Sequence, residues 1–110
     1  MKSTVTTEIA YRNKVTNEVS LVIPVGTEIT IDFDQNGSAT LSIVGGTVTK
    51  KVSLNSLIKK CSGFTKMPSE ATMERWMFDG VARSITGKRV EPDGFGDDGS
   101  PSWLVALGLI

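Results

Sequence analysis

The hydrophobic period of this chain changes once, at Val52, and the change separates a β half from a helical and irregular half. Glu28 to Asp34 alternates, with Ile29, Ile31 and Phe33 on one side and Thr30, Asp32 and Asp34 on the other. Asn36-Gly37 follows and suits a tight type I′ hairpin, in which both central residues take positive φ. Ala39 to Val44 resumes the strand, Gly45-Gly46 turns it, and Thr47 to Val52 closes the sheet. Upstream, Thr4 to Tyr11 and Glu18 to Ile23 read as strands joined by a turn over Asn13 to Asn17. The expectation is an N-terminal antiparallel meander of four to five strands.

After Val52, Leu54, Leu57, Ile58 and Cys61 fall at helical spacing behind Ser53 as N-cap, and Gly63 is placed to end that helix. Ser69 caps a second helix with Glu70 in its first turn, where a negative charge suits the dipole. Its apolar stripe is Met73, Trp76, Met77 and Val81, and Asp79-Gly80 bends or ends it. From Thr86 the chain reads as loop, with three glycines and two prolines between Val90 and Ser102. It then finishes on the apolar run from Trp103 to Ile110, which must dock on the sheet or bury itself in a partner subunit. The reading is one α+β domain over residues 1–110: the sheet, two short helices and a loop-rich, apolar C-terminal tail.

Composition narrows the function classes. The 110 residues contain no histidine and one cysteine, Cys61. A Ser/His/Asp triad and a Cys/His pair are therefore excluded, as are an internal disulfide and a multi-cysteine zinc site. Carboxylate, lysine or tyrosine chemistry stays open, but the expectation is a binding protein with no catalytic residues, no metal and no cofactor. Twelve basic residues balance twelve acidic ones, which argues against binding to a nucleic acid polymer. No apolar run has the length of a membrane span or of a signal peptide, so no membrane association and a cytoplasmic location are expected.

The charges are balanced but segregated. Residues 58–90 carry seven basic groups (Lys59, Lys60, Lys66, Arg75, Arg83, Lys88, Arg89) against three acidic ones. Residues 91–110 carry four acidic groups and no basic one. Arg75, Arg83, Lys88 and Arg89 lie near Phe64, Trp76 and Phe78 in sequence, and guanidinium forks with aromatic faces suit a nucleotide. The same residues also read plainly: Trp76 as core, Arg75 and Arg83 solvated, and Lys88-Arg89 paired with the acidic loop. Met67, Met73 and Met77 offer an adaptable binding face, although helical spacing fits ordinary core as well. Asp93, Asp97 and Asp98 are spaced loosely like a calcium loop. Phe95 stands at the third ligand position and no glutamate closes it, so a structural turn is expected.

The C-terminal run MFDGVARSITGKRVEPDGFGDDGSPSWLVALGLI, with the sheet and two helices before it, resembles the first family of phage Thoeris anti-defence proteins. Those are sponges that sequester cyclic ADP-ribose isomers made by bacterial TIR-domain enzymes. Some members also hold cyclic oligonucleotides of the CBASS system at separate sites. The resemblance implies sequestration without cleavage, inside an infected bacterial host, in pockets formed by a homo-oligomer: a dimer that assembles further into a hexamer. It also implies an aromatic against adenine and arginines on the diphosphate. Arg89, just ahead of the Val90-Glu91-Pro92-Asp93-Gly94 turn, is the leading match; Arg75 and Phe64 follow, with Phe78 as a further aromatic and Thr72 placed for ribose. Two other classes stay open on the residues alone: a protein-binding inhibitor of a host defence or regulatory protein, using the sheet or the tail, and a phage assembly accessory.

Overall fold

A computed structural model describes residues 1–110. In chain order the elements are β1 (Lys2–Thr4), β2 (Ile9–Arg12), β3 (Val19–Ile23), β4 (Glu28–Phe33), β5 (Ala39–Ile43) and β6 (Thr49–Val52). There follow α1 (Leu54–Lys60), α2 (Glu70–Asp79), β7 (Ala82–Arg83), β8 (Arg89–Val90) and α3 (Trp103–Ala106). The architecture is α+β and mostly β, as the hydrophobic period implies.

The strands do not form one meander. An antiparallel sheet has the order β1-β4-β5-β6, and β2 and β3 pair only with each other. The segment expected as a single strand from Thr4 to Tyr11 breaks because its middle is drawn off the sheet by α1. Val5 bridges Cys61, and the amides of Thr6 and Thr7 both donate to the Lys60 carbonyl. The β2–β3 hairpin then runs outward, with residues 12–20 exposed, which lengthens the molecule to 46 × 29 × 22 Å.

The β4–β5 turn also differs from the expected type I′ form. Asn36 keeps a negative φ and only Gly37 is left-handed, at φ +81°. Asp34 decides this: its Oδ1 accepts from the amides of Asn36 and Ser38 at 2.9 and 3.0 Å, so the aspartate wraps the loop around itself. Gly37 is also a contact point, since a Cβ there would stand 3.0 Å from Val105 Cγ1 in α3. The hairpin turn and the chain's last helix thus touch.

The inward face of β4 and β5 pairs Ile29 with Ile43, Ile31 with Leu41, and Phe33 with Ala39. Ile9 and Ile23, themselves a cross-strand pair, join them with Leu57 of α1 and Cys61 at its C-cap to make the larger core. A second core gathers Met73, Ile85, Trp103 and Leu104. The helical stripe of α1 is divided between them: Leu57 and Cys61 enter the first, Leu54 and Ile58 lean on the second. Phe33 and Phe64 pack against both and join the two into one body.

Local capping explains the helix limits. Ser53 Oγ accepts from the Ser56 amide and Ser69 Oγ from the Thr72 amide. Gly80, at φ +70°, ends α2 in the left-handed conformation. α1 stops earlier than Gly63 suggests, because Cys61 is already extended in its bridge to Val5. The tail docks within its own chain: Trp103, Leu104 and Val105 are buried, while Leu109 and Ile110 remain half exposed.

Trp103 is 1% exposed and donates from Nε1 to Thr65 Oγ1 at 3.2 Å. Trp103→Ala is expected to cost about 3–5 kcal/mol in urea denaturation, since it removes the largest side chain of the second core. Trp103→Phe keeps most of the packing, loses the Thr65 hydrogen bond, and should cost markedly less.

Candidate functional site

Gly80 turns the chain out of α2 into a two-stranded ribbon whose tip is Ser84–Lys88. The Ser84 amide donates to the Lys88 carbonyl at 2.8 Å, and Gly87, at φ +92°, donates to the Ser84 carbonyl. In this register Ala82 lies opposite Val90 and Arg83 opposite Arg89. Ala82 is buried and Val90 half-buried, so the ribbon's other face, with both arginines, is open to solvent. Side chains directly opposite on antiparallel strands have Cβ atoms about 4.5–5.5 Å apart. The two arginine side chains therefore leave one face of the ribbon from directly opposite positions.

Nothing on the chain neutralises them. Its single ion pair joins Lys88 Nζ to Asp97 Oδ1 at 3.9 Å, and the one hydrogen bond from either arginine runs from Arg83 to the Gly87 carbonyl at 3.5 Å. Lys88 thus pairs with the acidic loop, whereas Arg89 does not. Like charges opposite each other oppose ribbon formation, so something else must hold this ribbon in register.

The restraint comes from behind. Asp98 Oδ2 accepts from Thr86 Oγ1 at 2.7 Å, and Oδ1 accepts from the Ser100 hydroxyl at 2.5 Å and the Ser100 amide at 3.0 Å. Ser84 Oγ accepts from the amides of Thr86 and Lys88. With the Thr86 and Ser100 protons given to Asp98, the Ser84 hydroxyl is left to donate to Thr86 Oγ1, 3.0 Å away. A directed chain Ser84→Thr86→Asp98←Ser100 results. Ser84 bridges Ser102, Ile85 donates to the Pro101 carbonyl, and Ser102 Oγ donates to the Pro92 carbonyl at 2.6 Å. The glycine- and proline-rich loop is therefore built rather than slack. Every buried side-chain polar atom has a partner.

The other expected site residues are dispersed. Arg75 is exposed on α2, and Phe78, three residues on and 93% exposed, shares that outer side. Thr72 is half-buried, with its hydroxyl 3.0 Å from that of the capping Ser69. Phe64 is half-buried between the two cores, so its ring is engaged in packing. Arg89 is thus brought to Arg83, Arg75 to Phe78, and Phe64 to neither. None of the chain's four cavities is lined by Arg75, Arg83 or Arg89. Arg83 as Arg89's direct partner and the Asp98 network were not foreseen. The legible trace was the placement of Arg83 and Arg89 at equal distances from Thr86, around a glycine-bearing tip.

No three acidic or cysteine side chains converge as metal ligands. Burial raises the Cys61 pKa and so disfavours its thiolate. No family model matches the chain, and neither does any curated protein or solved structure. The class the fold defines is a small α+β protein, built on a four-stranded antiparallel sheet, whose C-terminal half carries a paired-arginine ribbon. No helix is long and apolar enough to cross a membrane.

Burial works to raise the Asp98 pKa, but the hydrogen bonds from Ser100 and Thr86 outweigh it and leave the carboxyl below its ordinary 3.8. Stability from this group is complete above that value and is lost as pH falls through the lower, folded pKa. Asp98→Ala is expected to cost about 1.5–3 kcal/mol at neutral pH, the range for hydrogen bonds to a charged group. In denaturant titrations the gap between native chain and variant should narrow as pH drops below about 4.

Proposed function

We propose that this chain is a non-catalytic binding protein that sequesters a compact phosphorylated nucleotide signal without cleaving it. The unneutralised Arg83–Arg89 pair carries the reading. Two adjacent forks suit phosphate oxygens in a way two point charges do not, because each can donate two parallel hydrogen bonds. A bound diphosphate would also supply the counter-charge the ribbon lacks. Arg75 and Phe78, on the outer side of the helix that leads into the ribbon, are the further cation and the aromatic face for a base.

The ligand class comes from the resemblance of the C-terminal run to phage anti-defence sponges: cyclic ADP-ribose isomers, and in some members cyclic oligonucleotides, captured in the cytoplasm of an infected bacterium. The arginine face is open on a single chain, so a high-affinity pocket requires a second copy to close over it. This supports a homo-oligomer with an interfacial site. Sequestration needs no general acid or base, and a chain without histidine loses nothing by that.

Calorimetry against cyclic ADP-ribose isomers and a cyclic trinucleotide, followed by heat release and chromatography, tests the proposal. Unchanged ligand should be recovered, and Arg83→Ala and Arg89→Ala should each weaken binding at least about tenfold with the fold intact. Normal binding by Arg89→Ala would remove the site, and degraded ligand would make the chain an enzyme. In the free protein, Arg89→Thr should raise the melting temperature at low salt by relieving the like-charge pair. That gain should shrink as salt is added.

A further inference from the structure

A second surface lies apart from the arginine ribbon. Between α2 and the C-terminal segment runs a groove of about 490 Å³, lined by Glu70, Met73, Glu74, Met77 and three leucines of the tail, Leu104, Leu107 and Leu109. It continues past Glu74 and Met77 to Phe78 in a shallower depression. Met77, Phe78, Leu109 and Ile110 are each more than half exposed, a dense apolar surface for so small a protein.

The charges on this surface have one sign. Glu70 and Glu74 are the only ionisable residues lining either depression, both are exposed, and neither forms an ion pair. This occurs within the most basic part of the chain, where seven cations outnumber three carboxylates between residues 58 and 90. The floor is flexible in chemistry as well: Met73 and Met77 are unbranched and polarisable, and methionine surfaces repack around side chains of different shape. An apolar trough with methionines in its floor and carboxylates on its rim is complementary to one kind of occupant. That occupant is an amphipathic helix with an apolar stripe flanked by lysine or arginine.

We propose that the groove between α2 and the C-terminal segment is a docking site for a basic amphipathic helix of another protein. The stripe seats on Met73, Met77, Leu104, Leu107 and Leu109, and flanking cations meet Glu70 and Glu74. None of the residues that seat the helix is among the proposed nucleotide contacts Arg75, Phe78, Arg83 and Arg89, although Phe78 borders the groove's shallower extension.

Fluorescence anisotropy on the full chain tests this with two labelled helical peptides, one of leucine and lysine and one of leucine and glutamate in the same pattern. The lysine peptide should bind at least about tenfold more tightly. The double variant Glu70→Lys/Glu74→Lys should reverse the preference. Met77→Asp, at a half-exposed position that leaves the core intact, should abolish binding with the circular dichroism unchanged. The proposal fails if neither peptide binds, if both bind equally, if the preference survives charge reversal, or if Met77→Asp has no effect. It fails too if sedimentation finds the free chain dimeric and Met77→Asp makes it monomeric, since a second copy would then fill the groove.

Discussion

The burial of Trp103 is the contact on which the C-terminal half depends. A four-residue helix has no stability of its own, because nucleation costs more than so few hydrogen bonds return. α3 exists because Trp103 and Leu104 fill the space left by Met73 and Ile85, and because Ser102 Oγ accepts from the Val105 amide. Seating the indole fixes what precedes it. Its Nε1 is tied to Thr65, whose amide donates to the Ile85 carbonyl, while the Ile85 amide donates to Pro101. Three distant stretches of chain meet around one ring, and the ribbon and groove are both hung from that meeting.

Asp98 completes the arrangement by supplying order where the composition offers none. Glycines and prolines in a loop give the unfolded chain or its turns their character but no cohesion of their own. Here one carboxylate gathers three hydrogen bonds from Thr86 and Ser100, and the hydroxyl of Ser84 passes the restraint to the ribbon tip. This lets Arg83 and Arg89 stand opposite each other despite their repulsion. The cost of that placement is borne by a network on the ribbon's far side. A local conflict sustained by its surroundings is the usual physical mark of a position kept for something other than stability.

What could be read from the chain, and what could not, follows from the range of each interaction. Alternation in Glu28–Phe33 and the caps Ser53 and Ser69 act within a few residues, so β4, β5, α1 and α2 were legible almost to their ends. Asn36-Gly37 misled because Asp34, two residues upstream, captures the loop's amides and substitutes another turn. The pairing of β1 with β4 rather than β2 depends on α1 claiming Val5 through Cys61, a contact between residues far apart in sequence. The Asp98 network spans twelve residues to Thr86, and no period or motif announces it. Of the candidate site, the sequence singled out Arg89, but its exposure on one face of a ribbon comes only with the β7–β8 register. Its partner Arg83 was visible only as one of several cations, since their juxtaposition requires the ribbon's register. Phe64 shows the limit from the other side: an aromatic beside basic residues in sequence, it is a wedge between cores in space.

The two cores also differ in kind, and the difference bears on where binding can reside. Around the sheet, buried aliphatic side chains from four strands, the bridging Val5 and α1 pack by shape alone. The second core has fewer buried apolar residues and leans on hydroxyl and carboxylate hydrogen bonds at Thr65, Ser84, Thr86, Asp98, Ser100 and Ser102. Apolar burial resists local opening in proportion to the area removed from water, whereas a polar network yields when one member is lost. The sheet is therefore held by apolar area, and the C-terminal half by a polar network that is rigid while every member is satisfied. Both the paired arginines and the methionine-lined groove sit on that half, one on the ribbon and one beside α2 and the tail. Occupying either removes its local conflict, the unshared charge in one case and the wetted apolar side chains in the other. A ligand at either place would thus stabilise the folded chain, with the logarithm of its concentration over its dissociation constant.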